Sequence, residues 1–436
     1  MASQIELSEY STKVPSLDSK KIGIFSNAEV DEKLAIVSLT DEDKELAESL
    51  KNFLKITPLK DGLAISSDSF IGVANFSQFS VVVKPKILMD PENLFGMLNY
   101  AFDLELFKKP PIEFSPETNE NFLVDIIILS IVERCERLLK QGLLKSYISF
   151  QENISFLKGK LLLKQHISNM VRHRPQFACE FDELEYDNLE NQIILFCLNR
   201  CYKMINNDEL LRRIRLLILQ ISGNVSNKLI TIEDFKKINY TGQNAHYEKI
   251  HELCILIVEA TGLVDFYSQR THLVKSFFVN MNEIFEKFVF KLIQNYFPPY
   301  YDIREQESLH AWIINGVRRK KIRTDILLHN NQTGQFTVID TKYKFHLDDD
   351  LYQIGFYIHE YSKKGRQIQK TGYAILPKNK KEPQEPYSEI FSETQGIKII
   401  KSYIDLDEII PLLYERNEES ETLIRTKIHK LLPELE

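Results

Sequence analysis

Thr324-Asp-Ile-Leu-Leu leads through an Asn330-Asn-Gln-Thr-Gly-Gln turn into Phe336-Thr-Val-Ile-Asp-Thr-Lys-Tyr-Lys344. Both sides of the turn are apolar and rich in β-branched residues, the signal of two paired strands. Asp325 sits on the first strand, and Asp340 follows fifteen positions later on the second. A strand has a period of two, so Asp340 and Lys342 point to the same face. Ile326, Val338 and Ile339 place both carboxylates at the ends of core strands. A charge in that setting is paired, exposed in a cleft or bound to metal. Two hard oxygen donors and one ammonium on a rigid sheet suit a divalent metal and a phosphodiester. The stretch therefore points to metal-assisted hydrolysis of nucleic acid. An Asp-x-Lys triplet alone would carry little weight; the spacing to Asp325 and the apolar surroundings give it meaning.

The residues around this pair extend the pattern. From Gly316 to Lys344 there are seven Lys or Arg, among them Arg318, Arg319, Lys320, Lys321 and Arg323, against Asp325 and Asp340. Such a run is ordinarily a solvated face. Here it leads straight into the acidic pair, and it would attract phosphate within a Debye length of about 10 Å. Glu286 borders the apolar stripe of the preceding helix, beside Val289 and Ile293. From there it either joins a metal shell or remains a solvated helix charge. Gln353 and Tyr357 are four apart and share a helix face. They read either as a surface pair beside a core tyrosine or as groups facing the site. In the arrangement expected, Asp325, Asp340 and the Thr341 carbonyl hold one or two Mg²⁺. Lys342 then orients water or steadies the phosphate, and the basic run holds the DNA backbone.

Composition bounds the alternatives. The chain has 436 residues, 43% hydrophobic and 11% aromatic, which implies a globular protein of two or three domains. The net charge of −7 does not announce a nucleic-acid binder, so the basic patch is a local feature. Five cysteines without a Cys-x-x-Cys pair exclude a zinc ribbon and read as buried thiols in a reducing cytoplasm. No signal peptide opens the chain, and the apolar run Phe122 to Val132 is too short for a bilayer. His246 and His251 are five apart, on different sides of a helix, which argues against a zinc protease. There is no phosphate-binding Gly-x-x-x-x-Gly-Lys-Ser/Thr, so this chain is not expected to bind a nucleotide itself.

Read end to end, the chain predicts an α+β multidomain protein. Residues 1–108 form a small α+β domain, with a frayed start, a helix over Thr40 to Leu54 and strands at Gly62, Phe70 and Phe79. Residues 109–275 form a helical scaffold, with helices over Asn119 to Gln141, from Asp187, over Asp208 to Ser222 and over His246 to Thr261. Residues 276–436 form a mixed sheet flanked by helices, beginning with the amphipathic helix Met281 to Phe297.

At this point the residues resemble a known superfamily. Glu286, Asp325, Asp340-Thr-Lys342 and Gln353-x-x-x-Tyr357 match, in order, the motifs of the PD-(D/E)xK nucleases, with Thr324 where the name calls for proline. The chain from about residue 60 to 360 resembles the McrC family, nuclease subunits of McrBC modification-dependent restriction systems. The likeness rests on Phe70-Ile-Gly-Val, Val81-Val-Val-Lys-Pro-Lys and Met97-Leu-Asn-Tyr-Ala. It continues in Lys158-Gly-Lys, Cys179-Glu-Phe-Asp-Glu-Leu-Glu-Tyr-Asp-Asn-Leu-Glu-Asn191 and Asn280-Met-Asn-Glu-Ile-Phe-Glu-Lys-Phe-Val. Family members often carry Arg where Lys158 stands.

The resemblance implies a restriction-endonuclease-like C-terminal domain and a Mg²⁺-dependent endonuclease acting on double-stranded, possibly methylated, DNA. It also implies a partner, a McrB-like AAA+ GTPase hexamer, whose ring receives the amino-terminal part and whose GTPase is stimulated by it. Cleavage would follow blocked translocation, in the cytoplasm and away from membranes. Two alternatives stay open at this stage: a stand-alone PD-(D/E)xK nuclease of DNA repair or recombination, and a non-catalytic activator of an AAA+ partner.

Overall fold

The computed structural model describes residues 3–14, 28–30, 39–59, 62–77, 79–88, 90–104, 122–205, 207–261, 276–314, 317–347, 350–363, 366–379, 385–392, 396–415 and 417–435. The chain divides into two units. One joins Met1–Leu123 to Ser276–Glu436, and the other is Val124–Lys275.

The first half of the first unit contains β1 (Ser3–Ser8), β2 (Ser11–Val14), β3 (Ala28–Val30), α1 (Asp41–Ser49), β4 (Leu54–Leu59), β5 (Gly62–Ser67), β6 (Phe70–Asn75), β7 (Phe79–Lys84) and α2 (Pro91–Ala101). The start of the chain, expected to fray, forms strands instead. β1 pairs in parallel with β7, and its Ile5 and Leu7 are buried beside Val81 and Val83. Tertiary pairing overrides the weak local signal of a Ser-rich segment. Thr40 caps α1 as its sequence implies, in a reciprocal capping box with Asp43. The helix closes at Ser49, short of the expected Leu54, because Leu54 begins β4.

The second unit contains α3 (Phe122–Gln141), β8 (Ser146–Ile154), β9 (Lys160–Leu161), α4 (Leu163–Val171), β10 (Phe177–Glu185), α5 (Leu189–Met204), α6 (Asp208–Ser222), α7 (Ile232–Phe235) and α8 (Ala245–Thr261). Helices α3, α5, α6 and α8 carry its core, where Cys135, Cys197, Cys201 and Cys254 are buried free thiols; Cys179 on β10 is likewise buried and free. To the expected helices the structure adds an antiparallel sheet ordered β8-β10-β9. Asn188, and not Asp187, is the N-cap of α5, accepting the Asn191 N–H at 3.0 Å. His251 is buried between the Tyr240 hydroxyl (2.8 Å) and the Glu190 carbonyl (3.1 Å). Burial lowers it to about 4, so it is a neutral core histidine.

The first unit resumes with β11 (Ser276–Asn280), which pairs with β6 and completes a sheet ordered β1-β7-β6-β11. Gly72 on β6 sits at φ +152°, and a Cβ there would lie 2.0 Å from the Phe277 carbonyl, so the pairing needs glycine. Then come α9 (Met281–Tyr296), β12 (Tyr301–Glu305), β13 (Ser308–Ile314), β14 (Val317–Arg323), β15 (Ile326–Asn330), β16 (Phe336–Thr341), α10 (Asp350–Lys363), β17 (Thr371–Pro377), β18 (Tyr387–Ser392), β19 (Ile397–Ile404), α11 (Leu406–Glu415) and α12 (Glu418–Leu431).

Six of these strands form a mixed sheet, ordered β12-β15-β16-β17-β19-β18. The β16/β17 and β17/β19 pairs are parallel, and the others are antiparallel. α10 packs through Ile354, Tyr357, Ile358 and Tyr361 on Leu327, Val338, Ala374 and Leu376. The alternate residues Ile326, Leu328, Ile339 and Ile375 are also fully buried, so both faces are covered, with α9 and α12 also reaching the sheet. The expected mixed sheet flanked by helices is present. β13 and β14 pair separately as a hairpin. Among the described residues no helix is long and apolar enough to cross a membrane.

Candidate active site

The strand pair that opened the sequence reading builds the centre. Ile326 on β15 pairs with Ile339 on β16, so Asp325 and Asp340 lie one step beyond, at the same end of the sheet. Asp340 shares a strand face with Val338, and Asp325 with Leu327, which is the face α10 covers. Asp325 Oδ2 accepts two hydrogen bonds from Thr341, from its N–H at 2.7 Å and its hydroxyl at 3.0 Å. Asp340 is fully buried. Lys342 Nζ stands 2.8 Å from Asp340 Oδ2 as an ion pair, and among the described residues neither Asp340 oxygen receives a well-aligned hydrogen-bond donor. Burial, followed by the nearby Asp325 charge, pushes Asp340 up to about 7, with Lys342 acting against the rise. Burial opposes the Lys342 charge, but Asp340 and Asp325 outweigh it and hold the ammonium above its ordinary range.

A second group closes in from α9. Gln306 Nε2 donates to Glu286 Oε1 at 3.0 Å, and Gln306 Oε1 accepts from Arg323 Nη1 at 3.1 Å. Burial and then Asp325 raise Glu286 to about 7; Gln306 and Arg323 moderate the rise. Glu286 therefore feels the Asp325 charge directly. On α10, Gln353 Nε2 donates to the Tyr357 hydroxyl at 2.5 Å. Gln353 is exposed and Tyr357 buried. Burial raises the Tyr357 hydroxyl, with Asp340 and Asp325 adding to it, which puts that hydroxyl within the field of the pair. Asp325, Asp340, Lys342, Glu286, Arg323 and Tyr357 are thus drawn into one electrostatic neighbourhood. Arg318, Arg319, Lys320 and Lys321 run along β14, and their side chains lie outside the described residues. Among the described residues no three His, Cys, Asp or Glu side chains are gathered into a ready-made metal set.

Sequence reasoning missed Gln306. It occupies a left-handed turn (φ 51°), its N–H donates to the Asp325 carbonyl at 2.9 Å, and its amide bridges Glu286 and Arg323. Nothing in a Glu-Gln-Glu turn announces that role. Thr324, standing where the motif name calls for proline, has a local reason. Its N–H donates to the Glu307 carbonyl at 3.2 Å, a bond proline cannot make, and its hydroxyl meets Tyr361 Oη at 3.3 Å.

Residues 65–368 match the family model described as "McrBC 5-methylcytosine restriction system component", well over half of the chain. The chain belongs to the McrBC family. A chain of the Thermococcus gammatolerans structure described as a half-complex from a tetradecameric assembly of McrB AAA+ hexamers with bound McrC has a similar fold. It superposes with a TM-score of 0.50 at 17% identity, covering 99% of this chain and 100% of that one. The cryo-EM structure of the Thermococcus gammatolerans McrBC complex matches with a TM-score of 0.43 at 19% identity, over 70% of this chain and 90% of that one. No curated protein sequence matches the chain.

The McrBC-family segments of the second unit are structural in their visible contacts. Gly159, between Lys158 and Lys160, has φ +64°, and a Cβ there would lie 2.3 Å from the Glu180 carbonyl. Lys158 pairs with Glu183 and stands 4.3 Å from the centre of the Phe181 ring. Asn191 donates to the Leu144 carbonyl (2.9 Å) and the Tyr186 carbonyl (2.8 Å) and accepts from the Tyr247 hydroxyl (2.7 Å). These contacts hold the fold of the second unit and give the residues no chemistry.

Proposed function

We propose that this chain is the DNA-cutting subunit of a McrBC-type complex, hydrolysing phosphodiester bonds with Mg²⁺ and stimulating a GTP-hydrolysing AAA+ partner. The observation that carries the reading is Asp340: a fully buried carboxylate with no well-aligned donor on either oxygen among the described residues, beside Asp325 and Lys342. Buried carboxylates are normally hydrogen-bonded, and one left open is a place for a cation. The donors fit Mg²⁺, since all are oxygens. Asp325, Asp340 and the Thr341 carbonyl would hold it, with Glu286 joining from α9. Bound there, Mg²⁺ would neutralise the scissile phosphate and acidify an attacking water.

The chain's own residues supply the rest. Lys342, charged throughout the neutral range, leaves its Asp340 pair to orient water or meet the charge developing on the phosphate. Gln306 keeps Arg323 and Glu286 together, so one arm can meet a backbone phosphate while the other faces the cation. Tyr357, steadied by Gln353, offers its hydroxyl to the same phosphate. Arg318, Arg319, Lys320 and Lys321 extend the positive track for DNA.

The partner reading draws on the Thermococcus structure, whose description places McrC with McrB AAA+ hexamers, and on the second unit here. That unit leaves Phe156, Leu157, Leu163, Ile167, Met170 and Val171 exposed. Apolar side chains concentrated in this way mark interaction surfaces. The test is to reconstitute the chain with a McrB-like GTPase and follow GTP-dependent cleavage of methylated and unmodified duplex DNA. Cleavage should require Mg²⁺, GTP and partner, and Asp340→Ala should remove it while partner GTPase stimulation persists. Efficient cutting by the chain alone would favour a stand-alone nuclease, and unchanged cutting by Asp340→Ala would remove the site assignment.

A further inference from the structure

The backbone leaving the Asp340-Thr341-Lys342 strand is held at a point that no motif of the site includes. Lys342 N donates to the Ile375 carbonyl at 3.0 Å, and Lys344 N donates back to the Lys342 carbonyl at 2.9 Å. Between them the Tyr343 carbonyl accepts a 2.8 Å hydrogen bond from the Tyr10 hydroxyl, across 333 positions of sequence. Tyr10 sits in the turn between β1 and β2, in the left-handed region at φ 55°. A non-glycine residue there is uncommon and persists only when its surroundings hold it.

The surroundings do hold it. Tyr10 N donates to the Asp68 carbonyl at 2.9 Å, and Glu9 N to the Lys84 carbonyl at 3.0 Å. Glu9 is fully buried, and its Oε1 accepts the N–H groups of Lys86 (2.8 Å) and Ile87 (3.1 Å). The Tyr343 side chain is fully buried too, with its ring centre 5.5 Å from that of Phe285 on α9. A strained, multiply anchored turn at the start of the chain therefore grips the residue that directly follows Lys342.

We propose that Tyr10 is a positioning residue for the nuclease centre: through the Tyr343 carbonyl its hydroxyl sets where the backbone places Lys342 relative to Asp340. The first strand pair then serves the chemistry of the last third of the chain, although it contains none of the motif residues. The role rests on the nuclease reading above. It also gives the amino-terminal part a direct mechanical route to the site, because β1 and β2 flank the turn that carries Tyr10.

The test compares Tyr10→Phe, Asn282→Ala and Asp340→Asn in the full chain with its AAA+ partner. Tyr10→Phe keeps the ring and removes the hydroxyl. It should lower kcat for DNA cleavage about tenfold, since small misplacements of a catalytic group cost this much or more. KM for DNA, partner GTPase stimulation and melting temperature should stay within error of wild type. The Tyr10 hydroxyl also lies 3.2 Å from Asn282 Oδ1. Asn282→Ala should leave kcat within twofold, and a fall as large as that of Tyr10→Phe would mean the hydroxyl acts through Asn282, which overturns the proposal. So would a Tyr10→Phe protein that cuts within twofold of wild type, or one whose kcat falls only together with its melting temperature. Loss of cutting in Asp340→Asn with full cutting in Tyr10→Phe rejects the positioning role alone. Full cutting by Asp340→Asn rejects the nuclease reading and this role with it.

Discussion

Two aspartate corners, one in each unit, are built in opposite ways. In the second unit Asp187 Oδ1 accepts from the Ser226 N–H, the Ser226 hydroxyl and Gln192 Nε2, each at 2.8 Å. Burial works against its charge, but Gln192 and Ser226 outweigh it and hold the carboxyl below its ordinary range. Beside it the amide of Asn191 is committed to Leu144, Tyr186 and Tyr247. In the first unit Asp340 is more deeply buried, lacks a well-aligned donor among the described residues and is pushed up to about 7. The first corner is a completed polar network, which stabilises and specifies a fold. The second is an incomplete one, which costs stability until something arrives to complete it. The difference separates architecture from chemistry more sharply than the charge of either residue does.

The largest expected effect breaks the incomplete corner. Asp340→Ala should lower Mg²⁺-dependent cleavage by the reconstituted complex at least about 10³-fold, the loss of several kcal/mol of transition-state stabilisation. It should leave the melting temperature of the chain unchanged or higher. A variant that unfolds instead would place Asp340 with Asp187, as architecture. The next effect breaks the complete corner. Asn191→Ala strips an acceptor from Tyr247 and takes one of two donors from each of the Leu144 and Tyr186 carbonyls, which keep Asn188, at a cost of about 2 kcal/mol. Urea unfolding should show the loss in the second unit. A cost below about 1 kcal/mol would mean that water replaces the amide freely.

The incomplete corner was the more legible of the two in the sequence. Runs of apolar, β-branched residues beside Asp325 and Asp340, with Asn330 to Gly334 as the turn, specify a strand pair locally. The 100° helical step likewise put Glu286 at the border of its stripe. Gln306 was invisible, because its role comes from a left-handed turn and from two partners on other elements. Asp187 and Asn188 are both good caps and stand side by side, so only the backbone decides that Asn188 serves. β1 escaped notice because its pairing with β7 is non-local and only Ile5 and Leu7 among its residues are apolar. β8 escaped because it buries no residue fully, which removes the face that a period-two pattern reports, and β10 because its buried Ala178, Cys179 and Phe181 do not alternate.

A smaller effect sharpens the comparison through pH. Glu9, Glu286 and Asp340 are each raised to about 7, first by burial. A carboxyl raised on folding binds its proton more tightly in the native state than in the unfolded one. Its contribution is complete below the unfolded value of about 4 and fades as pH rises through about 7. The metal-free chain should therefore lose on the order of 1–3 kcal/mol between pH 5 and pH 8. Added Mg²⁺ should restore part of the loss at pH 8, and Asp340→Asn should flatten the profile. Melting curves in chelator across that range give the measurement. A metal-free profile that rises toward pH 8 would contradict the assignment of these groups.

The smallest effect belongs to Asp187, and its sign is reversed. A carboxyl lowered on folding stabilises above its unfolded value, and the contribution disappears as pH falls through the lower folded value. Asp187→Asn keeps the shape but loses the charge-assisted bonds from Ser226 and Gln192, so it should cost about 1 kcal/mol at pH 7. Once the pH falls below that folded value, wild-type Asp187 is itself protonated and the two proteins should converge. Melting curves of both from pH 7 down to about pH 2 decide the point. If the gap instead widens in acid, the Asp187 corner depends on shape and not on charge. The contrast with Asp340 would then rest on hydrogen-bond count alone.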